Sequence, residues 1–322
     1  MASARLAALL AVLALAVGCG GDDSSSGDGG GEAGGVTTIK VSTIPTAAAA
    51  PLFVGIERGF FKEENLRVET QFAEGGAAII PAVQSGGAQF GFGNTVSLFL
   101  AREKGLRLPM VAAGQVAPED EADDETAVMV PGNSEVKETS DLEGATIGVN
   151  TLQNIATLSI EAGLDKAGVD PKSVKFVEVG FPEALPAIKS GDVQAAFFGE
   201  PFTTLGAADK ARVIFRPFSA GVPGGQIGAY FASEKYTEES RDVVDRFARA
   251  IEKSNQYVID NPDSIRTSVV KFAKVPKKIA DEMRLPEFVP ALDQDGLQSL
   301  ADTAQKYGVL KEKLDTAELV LE

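Results

Sequence analysis

There is no histidine in these 322 residues and no tryptophan, and the single cysteine is Cys19. Without histidine, the commonest metal ligand and the commonest general base are both missing. One cysteine excludes an internal disulfide and any cysteine-cluster metal site. Without tryptophan, an aromatic clamp on a ligand has to use Phe53, Phe181, Phe202 or Tyr230, side chains that equally suit a core. Positive charge is also in deficit: 30 Lys and Arg stand against 46 Asp and Glu, a net charge of −16. Nucleic acid and anionic membrane surfaces repel such a chain, so no nucleic-acid partner is expected.

Catalytic signatures are scarce. No Gly-x-Ser-x-Gly elbow, Walker loop or dinucleotide glycine motif stands in a strand-turn-helix setting. Ser85, Ser97, Ser159, Ser254 and Ser264 lack the lysine three places on that a Ser-Lys hydrolase uses. Nothing spaces two acids on one element in a cleft. The expectation is no catalytic residue, no metal and no cofactor: a binder rather than an enzyme.

What is present is an ordinary globular composition, 44% hydrophobic and 24% charged, long enough for about two domains. Arg5 precedes an unbroken apolar run over 6–17. That run suits a signal peptide and is too short to cross ~30 Å of hydrocarbon. It ends in Leu15-Ala16-Val17-Gly18-Cys19, which resembles a lipobox with Ala16 where leucine is usual. A plain secretory signal with an incidental cysteine is the alternative. Residues 20–35, almost all Gly, Ser, Asp and Glu, cannot build a core and read as a flexible tether. Residues 1–19 are thus expected to be a lipoprotein signal. A lipidated Cys19 would anchor the exported protein to the outer face of the cell membrane.

From residue 37 the apolar pattern alternates between strand and helix periods. Strands are expected over 37–44, 66–72, 89–93 and 108–113, with helices between them opened by Pro51, by Gly75-Gly76-Ala77-Ala78 and by the Asn94-Thr95 cap. Six acids crowd residues 119–125; they read as a solvated acidic rim beside a domain crossing, a divalent-cation site being the alternative. Strands over 127–131, 146–149, 174–179, 195–198, 213–215 and 227–233 follow, with helices from 150 and from 181. The chain is helical from 238 onward, with Asp293 capping the last helix. The Ser-Gly turn and strand at 190–198 echo those at 85–92, as two similarly built domains would.

"Pro-Leu-Phe-Val-Gly-Ile-Glu-Arg-Gly-Phe-Phe-Lys-Glu-Glu-Asn-Leu-Arg-Val-Glu" at 51–69, Glu200-Pro201-Phe202 and "Leu-Ala-Asp-x-Ala-x-Lys-Tyr-Gly" at 300–308 together carry a resemblance. They resemble the SsuA/THI5-like (NMT1/THI5-like, NitT/TauT) solute-binding proteins of bacterial ABC importers. The resemblance implies an α/β, type II periplasmic-binding-protein fold, with two α/β lobes joined by two crossover segments and a helical C-terminal tail. Lobe 1 would hold 36–126 plus 230–322, and lobe 2 would hold 127–229. It also implies a partner, an ABC permease served by a cytoplasmic ATPase, and a monomeric binding protein. A ligand-sensing or partner-binding lipoprotein of the same fold, with no transport role, is the rival reading. A thiamine-precursor enzyme of the THI5 branch would need a histidine that this chain lacks.

Ligands of open α/β sheets bind at the carboxyl ends of strands. The candidate contacts are therefore Thr43, Pro45, Thr46, Gly76, Ala77, Asn94 and Thr95 from the first lobe, and Asn150, Thr151, Asn154 and Glu200 from the second. Each also reads as a turn former or helix cap. Glu200 either braces a hinge or accepts hydrogen bonds from a ligand amine or ring nitrogen. Helix-start amides suit a sulfonate such as taurine, yet no arginine falls in these loops and the net charge slows anion capture. A sulfonate or taurine-like solute and a nitrogenous, pyrimidine-like one both stay open, and nitrate ranks third.

Overall fold

Val41 and Ile39 are fully buried on a strand whose alternate residues face away, and that strand lies inside the first of two five-stranded sheets. The computed structural model describes residues 35–321, so the signal segment, Cys19 and nearly all of the tether lie outside the described residues. In chain order, β1 (Thr37–Thr43), α1 (Ala50–Arg58), α2 (Phe60–Glu63), β2 (Leu66–Phe72), α3 (Gly76–Gln84), β3 (Phe90–Asn94), α4 (Thr95–Glu103) and β4 (Met110–Ala113) build the first half. The short β5 (Gln115–Val116) leads to β6 (Ala127–Val130), β7 (Thr146–Val149), α5 (Ile155–Lys166), β8 (Lys175–Glu178), α6 (Phe181–Ser190), β9 (Ala195–Phe198), α7 (Phe202–Ala208), β10 (Arg212–Phe215) and α8 (Pro217–Gly221). The chain returns through β11 (Gly228–Ala232) to α9 (Glu234–Glu239), α10 (Arg241–Asp260), α11 (Asp263–Phe272), α12 (Lys277–Glu282), β12 (Glu287–Phe288) and α13 (Gln294–Lys306).

Local chemistry sets these boundaries. Gly59 ends α1 in the left-handed region at φ 83°, where glycine carries no Cβ penalty. Asn94 caps α4 by accepting from the Ser97 amide at 2.9 Å, and Asn154 caps α5 through the amides of Ala156 and Thr157. Residues 150–153 are bends, so α5 starts at Ile155 and not at the expected Asn150. The expectation also passed over α7 and α8, whose Thr, Gly and Ser content gives little helical signal.

The first sheet runs β2-β1-β3-β11-β4 and the second β10-β6-β9-β7-β8. Three strands of each are mutually parallel: β2, β1 and β3 in one, β8, β7 and β9 in the other. The fourth strand, β11 or β6, is the one that has just crossed from the other sheet, and it runs antiparallel between its neighbours. The two sheets therefore share one topology. β11 begins at Gly228, so residues 228–229 lie in the first sheet, two positions before the expected boundary at Tyr230.

The crossing segments are zipped together, Ala117 to Gly225 at 2.8 Å and Ile227 to Gln115 at 3.1 Å through the main chain. β5 also pairs with β12 from the helical tail. One apolar cluster runs from Ile79, Val96 and Phe99 of the first half into Ile147, Leu158 and Phe197 of the second. A second, around Phe90 stacked on Phe247 at 3.8 Å, seats α10 on the first sheet.

Candidate functional site

The carboxyl ends of β1, β3, β7 and β9 converge on one cavity of about 60 Å³ between the two sheets. Phe92, Phe181, Phe197 and Phe218 supply aromatic wall, and Ile44, Ile155 and Ile227 aliphatic wall. Polar groups enter from Thr46, Asn94, Gln115, Glu125, Thr126, Asn150, Asn154 and Glu200. Among the described residues no lysine or arginine lines it.

Of the expected contacts, Thr46, Gly76, Asn94, Asn150, Asn154 and Glu200 are brought to this cavity. Thr43 is buried at the end of β1 and Pro45 is half-buried; neither lines it. Ala77 is exposed on α3, outside the lining. The Thr95 hydroxyl donates to the Gln226 carbonyl at 2.7 Å, so this residue fastens a crossing instead. Thr151 accepts from the Asn154 amide at 2.8 Å and only supports its neighbour. Of the aromatics considered for a clamp, Phe181 lines the cavity and Phe202 stacks behind it at 5.6 Å. Phe53 stacks on Phe272 away from the site, and Tyr230 is sealed in the core.

Hydrogen bonds tie the two sides of the cavity to each other. Asn150 donates across it to the Glu74 carbonyl at 2.7 Å, and the Glu200 carbonyl accepts from the Ala47 amide at 2.8 Å. Gly75 makes this approach possible, since a Cβ there would lie 2.9 Å from the Asn150 amide nitrogen and 3.0 Å from a Thr151 methyl.

Electrostatically the site is acidic. Glu200 is 2% exposed; burial pushes its carboxyl up to about 7, against the pull of hydrogen bonds from Thr204. Glu125 is 3% exposed, and burial, reinforced by neighbouring Asp124, pushes it up to about 8. The acidic run is therefore not a solvated rim throughout. Residues 119–123 are exposed, but Asp124 and Glu125 turn inward. Asp124 accepts from the amides and hydroxyls of Thr126 and Ser219, and Arg216 donates to the Asp124 and Thr126 carbonyls.

Residues 46–265 match the family model described as NMT1/THI5 like. The chain belongs to the NMT1/THI5 like family. Its relatives include the formylaminopyrimidine-binding protein of Halalkalibacterium halodurans, 28% identical over 70% of this chain and 67% of that protein. The taurine-binding periplasmic protein of Escherichia coli is 28% identical over 88% of this chain and 87% of the relative. In structure the chain is similar to the alkanesulfonate-binding protein SsuA of Xanthomonas axonopodis pv. citri, solved with MOPS. The TM-score is 0.72 at 15% identity, covering 90% of this chain and 99% of that one. The fold is accordingly the α/β periplasmic-binding-protein fold.

Within this NMT1/THI5 like chain, sequence reasoning missed Gln115, Glu125 and Phe218 as cavity residues. Glu125 carried one usable signal: it closes the acidic run directly before the strand at Ala127, where a side chain leaves solvent. The serine scan also passed over Ser268-Val-Val-Lys271 on α11. Ser268 is buried and both side chains turn to Glu57, so this pair is structural. Among the described residues no helix is long and apolar enough to cross a membrane, and no acid or thiol cluster could hold a metal.

Proposed function

We propose that the protein is an extracytoplasmic binding component of an ABC importer. It captures a small nitrogenous organic solute, pyrimidine-like or amine-bearing, and presents it to a membrane permease. One observation carries the solute class: Glu125 and Glu200 both line a buried cavity that, among the described residues, no lysine or arginine lines. A sulfonate or nitrate would have to leave water for a cavity whose described lining offers no cationic side chain to offset its charge, beside the ionisable carboxyl of Glu200. A cation or an N–H-rich heterocycle meets carboxyl groups that can accept its N–H bonds, and four phenylalanines line the same cavity. The formylaminopyrimidine-binding relative points to the same chemistry, and the taurine-binding relative to the less favoured one.

Residues from both sheets line the cavity, so a solute in it gains contacts that an opened form lacks and shifts the population toward closure. The protein acts by binding, as a monomer, without chemistry of its own. A lipidated Cys19 on the 20–35 tether would hold it at the outer face of the membrane beside its permease.

A thermal-shift panel of aminopyrimidines, aromatic and aliphatic amines, taurine, longer alkanesulfonates and nitrate tests the solute class. A ligand at 100 times its dissociation constant adds about 2.7 kcal/mol of stability. The expected result is a raised melting temperature with a nitrogenous compound and none with the sulfonates or nitrate. A hit confined to taurine or nitrate would reject this reading.

A further inference from the structure

Glu200 and Glu125 reach the same cavity, yet their oxygens are placed differently. Both Glu200 oxygens are engaged: Oε1 accepts from the Thr204 hydroxyl at 2.8 Å and the Arg284 amide at 3.3 Å, and Oε2 accepts from the Thr204 amide at 3.1 Å. Glu125 has a single side-chain donor, the Gln115 amide on Oε1; its own main-chain amide also faces the carboxyl, but Oε2 is buried without a hydrogen-bond partner. An unsatisfied buried acceptor at a cavity wall is costly unless a ligand or a proton satisfies it.

The charges around Glu125 decide which. Asp124 precedes it, with its carboxylate turned to Thr126 and Ser219, and Glu200 stands across the same cavity. Arg216 and Arg284 are close, but they donate to main-chain carbonyls at 121, 124 and 126 and not to the Glu125 carboxyl. Among the described residues no ion pair reaches Glu125. A buried carboxyl with two acidic neighbours and no paired cation is held neutral. With Oε1 already accepting from Gln115, the proton belongs on Oε2.

We propose that Glu125, and not Glu200, meets the solute's nitrogen, and that it carries a proton on Oε2 in the empty cavity which it exchanges on capture. This rests on the nitrogenous-solute reading above. A solute arriving with a basic lone pair takes the proton: the O–H bond breaks, an N–H bond forms, and a carboxylate–cation pair remains. A solute arriving already protonated sends the proton from Oε2 into solvent, at most one per solute bound. Gln115 is a positioning residue that fixes the carboxyl rotation. Glu200 braces the start of α7 and the segment after α12. The upward shift of Glu125 to about 8 agrees with the proton's presence at neutral pH.

Titration calorimetry at pH 7 in phosphate and in Tris, with benzylamine and 4-aminopyrimidine as probes, counts protons exchanged. Benzylamine, a cation at that pH, should release close to one proton from the wild type. Glu125→Gln should abolish the release and weaken benzylamine by about tenfold or more, the scale of a charge-assisted bond. Glu200→Gln should keep the release while lowering the melting temperature. Infrared difference spectra of ligand-free wild type and Glu125→Gln should show the C=O stretch of a protonated carboxyl lost in the variant. Unchanged affinity and proton count in Glu125→Gln, or no protonated carboxyl lost, overturns the proposal. If neither probe binds the wild type, the nitrogenous reading and the exchange step fall together, and the infrared comparison still decides the proton on Glu125.

Discussion

Asn150, on the loop after β7, donates its side-chain amide to the main-chain carbonyl of Glu74, on the loop after β2, at 2.7 Å. The bond joins the two sheets at the rim of the cavity, where Gly75 leaves room for the approach. Removing it in Asn150→Ala should cost the closed form about 1 kcal/mol, or roughly fivefold in solute affinity. Gly75→Ala should do more, because its methyl group meets both Asn150 and Thr151. Small-angle scattering checks both: each variant should be more expanded than the wild type, with unchanged circular dichroism. An unexpanded Gly75→Ala would show that the cleft closes by another route.

Glu125 and Glu200 both hold protons more tightly folded than unfolded, since their ordinary value of 4.5 rises to about 8 and about 7. Between those values the native state binds more protons than the unfolded chain, so stability falls as pH rises. Their contribution is complete below about 4.5 and is lost by about 8, on the order of several kcal/mol for the pair. Glu125→Gln, which mimics the protonated acid, should be more stable than the wild type at pH 8.5 and have little advantage at pH 4.5. Melting curves across that range decide it. An advantage that is the same at every pH would rule out titration as the cause.

Asp124 is fully buried and accepts four hydrogen bonds, from the amides and hydroxyls of Thr126 and Ser219 at 2.6–3.0 Å. It pins the first crossing to α8. Asp124→Ala strands four donors and should cost about 3 kcal/mol or more in urea unfolding. Asp124→Asn, which keeps one acceptor oxygen, should cost clearly less. Equal losses would mean that the carboxylate's volume matters and its hydrogen bonds do not.

Phe181 lies between the cavity and Phe202, its ring 5.6 Å from that of Phe202 and nearly parallel to it. Phe181→Ala should destabilise the protein by about 3 kcal/mol. It should also narrow the preference for aromatic over aliphatic amines, measured as the ratio of their dissociation constants. A preserved ratio would move the ring-binding wall to Phe92 or Phe218.

Much of the chain order was legible from local signals. The Gly59 stop, the Pro51 opening and the Asn94 cap act within one helical turn of themselves, so spacing alone places them, whereas the Asn154 cap lay four residues past the expected helix start at Asn150. The Ser-Gly turns before β3 and β9 likewise announced the repeated topology. The cavity was legible in part: of the residues chosen at strand ends and helix starts, Thr46, Gly76, Asn94, Asn150, Asn154 and Glu200 line it, and Thr43, Pro45, Ala77, Thr95 and Thr151 do not. Strand ends place a residue near the crevice, but they do not say which way its side chain turns.

By itself the sequence determined the alternation of strands and helices, the acidic balance and the lack of histidine and thiol chemistry, because these depend on composition and short-range periodicity. The tertiary structure alone decided that β11 inserts antiparallel between β3 and β4, that the two crossings zip together, and that Asp124 and Glu125 leave solvent. The physical reason is distance along the chain. The partners that bury this acidic pair include Arg216 and Ser219, some ninety residues away, and no local pattern records a contact made only after both sheets have formed.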